Sequence, residues 1–168
     1  MLTLRATGRL LKRAKIDPEP KPPHSTGKLG DWYATLLEVR PVHVVLCTCE
    51  ATRLPVLVPA KDLARLPERV VEGVGNMLRA IGVAEADVEE ELDHMCEIRF
   101  AKTANRGLQG TMSDYLRMFG QGSRFTGKPR SFLEKSLELA ESPCVVLGTF
   151  PIGATRALFK RPRLRLVK

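Results

Sequence analysis

The chain has 168 residues, 43% hydrophobic and 27% charged, which is the composition of an ordinary globular domain with room for a sizeable core and which argues against disorder. Its apolar runs stop well short of a membrane span, and the early cations Arg5, Arg9, Lys12, Arg13 and Lys15 precede no signal core, so a cytoplasmic protein without membrane contact is expected. The formal charge of +8 hides an asymmetry: set aside the seven acids of residues 85–97, and 27 basic residues face 12 acidic ones, a balance of +15.

In chain order, residues 2–5 read as a short strand, followed by a basic helical turn carrying Leu10, Leu11 and Ala14. Residues 17–27 hold too many prolines for a helix and are expected as an extended surface loop. Three strand-like runs follow at 32–39, 43–49 and 53–58, forming an antiparallel meander in which Pro55 marks an edge strand. Trp32 and Tyr33 then point to opposite faces. Val70, Val74, Met77, Leu78 and Ile81 define a helix with Pro67 in its first turn and Gly82 at its end. An acidic helix follows, with Val88, Leu92 and Met95 inward and the carboxylates solvated. This face is one candidate for a protein-interaction surface.

Residues 96–101 alternate like a strand and lead through Lys102, Thr103, Asn105 and Arg106 into a helix whose expected N-cap is Thr111. Gly107 and Gly110 are read as turn residues or as points of close ligand approach. Ser131 and Glu134 have capping-box spacing, with Leu133, Leu137 and Ala140 inward. Ser142-Pro143 closes that helix, and Cys144–Leu147 reads as a strand. The chain ends in basic residues 160–168 with an alternating stretch at 163–166. The whole is expected to form one α+β domain, an antiparallel sheet covered by helices.

Backbone N–H groups at a helix start favour an anion, and Arg53, Lys102, Thr103, Asn105, Arg106, Thr111 and Asp114 are the candidate ligand residues there. Arg53 and Arg106 would clamp a phosphate or carboxylate through their planar guanidiniums. The competing structural reading pairs each with Asp31 or Asp114, and the expectation for Arg106 is such an internal pair. Lys160, Arg161, Arg163 and Arg165 are candidate nucleic-acid contacts. No dinucleotide, phosphate-loop, zinc-protease or serine-elbow motif is present, and His24, His43 and His94 are isolated, so no catalytic residue, cofactor or metal is assigned. Cys47, Cys49, Cys96 and Cys144 lack zinc spacing and are expected to be reduced core residues. The leading functional expectation is a non-enzymatic protein associated with nucleic acid or another polyanion. The alternative is a small enzyme acting on a nucleotide or phosphorylated substrate at residues 102–114.

Leu29–Leu37, Thr52–Val56 and Arg106–Asp114, with a weaker echo at Pro143-Cys144, together resemble an uncharacterised bacterial family, the domain-of-unknown-function family numbered 6933. The resemblance spans the chain from the first strand to about Leu158 and implies a setting in which some members are plasmid-associated. Family members often carry Asn at the positions of Thr35 and Ser113, and Ser at that of Gly107. The resemblance assigns no reaction.

Overall fold

The computed structural model describes residues 1–40, 42–120 and 125–160. Five strands form one mixed sheet: β1 (Leu2–Ala6), β2 (Trp32–Glu38), β3 (His43–Cys49), β4 (Pro55–Pro59) and β5 (Ile98–Lys102), in the order β4-β3-β2-β1-β5. The expected meander is present, with β2, β3 and β4 antiparallel. The flanking strands differ: β1 lies between β2 and β5 and runs parallel to both. This α+β sheet is therefore antiparallel on one side and parallel on the other, since a crossover carrying the helix α1 (Gly8–Ala14) separates β1 from β2.

Both faces are covered, which explains the nearly continuous apolar strands. On one face Leu4, Trp32, Ala34, Cys47 and Val56 meet Leu10 and Leu11 of α1 and Val70, Val74 and Met77 of α2 (Leu66–Ala80). Packing is close enough that a Cβ at Gly73 would lie 2.9 Å from Val56 and Val58. The acidic helix α3 (Glu85–Asp93) packs beside α2. On the other face Tyr33, Leu37, Leu46 and Leu57 meet Leu108, Met112 and Tyr115 of α4 (Arg106–Phe119) and Phe132 and Leu139 of α5 (Pro129–Ala140). Each fully buried aliphatic or aromatic side chain contributes about 1.5–3 kcal/mol.

α5 lies along the outer side of β4, the edge strand that Pro55 anticipates. Val56 and Val58 point their backbone groups at β3, so residues 55, 57 and 59 face outward. Two of these are prolines without an N–H. The third, Leu57, donates its N–H to Ser136 Oγ at 2.9 Å, and the Pro59 carbonyl accepts from Arg69 at 3.2 Å. At the other edge, Glu19 of the proline-rich segment donates its N–H to the Phe100 carbonyl of β5 at 2.7 Å.

Three local expectations are corrected. The helix α5 starts at Pro129, not at a Ser131 cap: proline suits the first helical turn, and Ser131 is buried with its hydroxyl donated to the Lys128 carbonyl at 2.7 Å. Leu133 and Leu137 are only partly buried, whereas Phe132, Ser136 and Leu139 turn inward. Cys144–Leu147 is a turn closed by a bridge between Cys144 and Thr149, because neither sheet edge is open to it. A sixth helix, α6 (Pro151–Phe159), follows where the glycine and proline suggest a break. Its Thr155 hydroxyl donates to Thr52 at 2.9 Å, fixing the helix to the β3–β4 turn. Arg161, Arg163, Arg165 and the alternating stretch 163–166 lie outside the described residues. Among the described residues no helix is long and apolar enough to cross a membrane.

Candidate functional site at Arg53

α4 begins earlier than Thr111. Asn105 is its N-cap, with Oδ1 accepting from Leu108 N at 3.1 Å while Nδ2 donates to Glu50 Oε1 at 3.3 Å. Gly107 and Gly110 are therefore helical rather than turn residues, and Thr111 is buried with its hydroxyl on the Gly107 carbonyl at 3.3 Å. Lys102 is exposed at the end of β5, and the Thr103 hydroxyl accepts from the Gln109 side chain at 3.0 Å.

The expected internal pairs of the two arginines do not form. Arg106 is exposed at the first position of α4 and has no partner among the described residues, because Asp114 pairs with Arg117 on the same helix and Asp31 is taken by Arg5. Arg53 is paired with neither aspartate. It sits in the turn after β3 with φ +59°, and its N–H donates to the Cys49 carbonyl at 3.0 Å. The Tyr115 hydroxyl locks the turn by donating to the Arg53 carbonyl at 2.7 Å.

The Arg53 guanidinium is the unusual group. Its Nε and Nη1 atoms are buried and have no hydrogen-bond partner. A buried donor left unpaired costs about 1–3 kcal/mol, more when charged. The sheet places a row of polar groups in register: Arg5, Tyr33 and Thr48 face one another across β1, β2 and β3. The Thr48 hydroxyl is also buried without a partner. Burial pushes the Tyr33 hydroxyl above its ordinary pKa, with the Glu50 carboxylate adding to the effect and the charges of Arg5 and Arg53 opposing it. The Tyr115 hydroxyl is likewise pushed up by burial, with Cys144, Arg53 and Asp114 all close enough to act on it.

Segments far apart in the chain supply this cluster. Tyr33 follows Asp31-Trp32, Arg53 follows Thr52, and Asn105 and Tyr115 flank the Arg106–Asp114 run. The model of a family described as "Domain of unknown function (DUF6933)" matches residues 3–154. The chain belongs to this family. No curated protein and no solved structure matches it. In this DUF6933 protein, then, Tyr33 of the first segment lies close enough to Arg53 of the second to feel its charge, and Tyr115, next to the third, holds the Arg53 carbonyl.

Two buried carboxylates of the DUF6933 fold are, by contrast, saturated. Asp31 is 2% exposed and accepts from Ser25 N at 2.8 Å, Ser25 Oγ at 2.9 Å and Arg5 Nε at 2.9 Å. Burial alone would raise its carboxyl, but those donors outweigh it and hold the group below its ordinary pKa. Glu91 is also 2% exposed, accepting from Lys28 N at 2.8 Å and Leu29 N at 3.1 Å, while Lys28 Nζ reaches Asp87 and Glu90 at 3.3 Å. The expectation that the acidic helix keeps its carboxylates in water is thus corrected for Asp87 and Glu91. Two of the cysteines differ from the expected core role: Cys96 is exposed and Cys144 half-buried, whereas Cys47 and Cys49 are fully buried, with the Cys47 thiol pushed up to about 12 by burial. All four are free, and no group of metal-ligating side chains occurs among the described residues.

Proposed function

We propose that this protein recognises a small anion, the phosphate or carboxylate group of a metabolite, at Arg53. The observation that carries the reading is the pair of buried guanidinium nitrogens without partners. Native proteins satisfy nearly all buried polar groups, and an exception marks a place for an ordered water, an ion or a ligand. Guanidinium Nε and Nη atoms form a planar fork that matches two oxygens of a phosphate or carboxylate. Tyr33 and Thr48 bring hydroxyl groups to the same region, and Lys102 and Arg106 at the start of α4 add positive potential. Thermal unfolding with added inorganic phosphate or citrate tests this. A ligand at a hundred times its Kd stabilises by about 2.7 kcal/mol. We expect such a rise in melting temperature for the wild type and none for Arg53→Met. Equal responses from the two proteins overturn the reading.

A second reading, nucleic-acid association in a cytoplasmic setting, is favoured by the basic end of the sheet. Lys12, Arg13, Lys15, Arg40 and Lys61 are exposed there without ion-pair partners among the described residues, and Arg13 and Lys61 line one groove with His43. Binding of this kind weakens steeply with salt, and Arg13→Gln with Lys61→Gln should reduce the salt slope by roughly 0.7–0.9 for each phosphate that is no longer neutralised. Binding that ignores both salt and these substitutions excludes it.

A further inference from the structure

Four charged side chains act on the hydroxyl of Tyr33: Glu50, Arg5, Asp31 and Arg53. Arg5 and Asp31 satisfy one another at 2.9 Å. Glu50 and Arg53 are also opposite in sign, both half-buried and only three positions apart in the turn after β3, yet neither has an ion-pair partner among the described residues. The turn that carries them is pinned by its backbone. Glu50 donates its N–H to the Asp31 carbonyl at 2.9 Å, Arg53 donates its own to Cys49 at 3.0 Å, and the Tyr115 hydroxyl holds the Arg53 carbonyl at 2.7 Å. The Glu50 carboxylate meets one neutral donor, Asn105 Nδ2, at 3.3 Å on Oε1, where Asp31 takes three donors, one of them a guanidinium. Two hydroxyls lie in the same region. Tyr33 and Thr48, opposite one another in register, are 2% and 0% exposed, and neither hydroxyl has a hydrogen-bond partner among the described residues.

We infer that the ligand of this site is a small zwitterion, a molecule with an ammonium group beside its carboxylate or phosphate, and that Glu50 takes the ammonium while Arg53 takes the anion. The inference rests on the anion-binding reading above. A simple anion would answer Arg53 but would sit beside an unmatched carboxylate that repels it, and a simple cation would meet the reverse problem at Arg53. One molecule with both charges meets both groups and leaves neither half-buried charge alone. The chemistry of the two ends agrees. An ammonium is a donor only and an ionised carboxylate an acceptor only, so the Glu50 end selects an amine, while the guanidinium of Arg53 selects oxygens. The hydroxyls of Tyr33 and Thr48 donate or accept as either end requires. Sugar phosphates and nucleotides without an ammonium group satisfy one half of this arrangement and oppose the other.

Calorimetric titration of the full chain with matched pairs of compounds tests the inference: glycine against acetate, β-alanine against propionate, and phosphoethanolamine against ethyl phosphate. Within each pair only the ammonium group differs. Wild type is expected to bind the amine-bearing member of at least one pair roughly tenfold more tightly than its partner, and that pair identifies the anionic group and its distance from the amine. Glu50→Gln keeps an oxygen for the Asn105 amide, so the melting temperature should hold. In that variant the preference for the amine disappears, and the simple anion gains affinity because a repelling charge is gone. Arg53→Met binds none of the compounds. If no pair shows a preference in wild type, a result that does not depend on any variant folding, the zwitterion inference is overturned. A preference that persists in Glu50→Gln overturns it as well. The Arg53 reading survives both results as long as binding of the simple anions depends on Arg53. If none of the compounds binds, both fall.

Discussion

Asp31 and Arg53 flank the same sheet and are opposite in every respect that matters. Asp31 is a buried carboxylate with its oxygens fully engaged by Ser25 and Arg5, and it ties the proline-rich segment to β1 and β2. Arg53 is a charged group with two buried nitrogens and no partner. The difference separates a group that holds the fold together from one that the fold holds ready. A buried charge whose donors all come from its own chain is part of the scaffold. A buried charge without them costs stability, and binding of a counter-charge recovers it.

The largest expected effect is on the scaffold side. Asp31→Ala leaves Arg5 unpaired and releases Ser25, and should cost about 3–5 kcal/mol in denaturant unfolding. A cost below 1 kcal/mol would erase the distinction between the two sites. Gly27→Ala comes next: a Cβ there runs into Glu91 Oε1, displacing the carboxylate from the N–H groups of Lys28 and Leu29, for an expected loss of about 1–3 kcal/mol. Arg53 should behave in the reverse sense. Arg53→Met removes unpaired donors and should leave stability unchanged or raised, while Arg53→Gly adds relief of the left-handed backbone, worth about 1–2 kcal/mol relative to Arg53→Ala. Marked destabilisation by Arg53→Met would make Arg53 scaffold after all.

The smallest effect is the sharpest test of the Asp31 half. Because its folded pKa is lowered, Asp31 contributes stability above its unfolded value of about 3.9, and that contribution is lost as pH falls through the folded pKa. Acid titration of the melting temperature should therefore fall less steeply for Asp31→Asn than for wild type below about pH 4. Parallel curves would show that the carboxylate charge adds nothing.

The β2–β4 meander and α2 were legible because their signals are local: alternating β-formers, Pro55, a helical apolar stripe and Gly82. The start of α4 was not. Glycines at 107 and 110 and a threonine at 111 look like loop and cap, whereas Asn105 wins the cap through a bond to Leu108 N and holds Glu50 besides. Cys144–Leu147 carries strand-forming residues, but strand formation needs a free edge, and both edges are occupied by residues distant in sequence. Periodicity places Glu91 outward because its N–H partners, Lys28 and Leu29, lie more than sixty positions away. At the candidate site the sequence pointed to Arg53 but offered it Asp31 or Asp114 as a partner. Only the fold shows that Arg5 and Arg117 have already claimed them.

The outward row of β4 has a consequence for how this protein meets other chains. A sheet grows, whether into a dimer, a captured peptide or a fibril, when an exposed strand offers alternating donors and acceptors to a newcomer. Here that strand offers prolines at both ends, and its middle N–H is already given to Ser136. On the far side Glu19 takes one carbonyl of β5, that of Phe100. Assembly by strand addition is thereby blocked at β4, and a Pro59→Val substitution combined with Ser136→Ala would reopen that template.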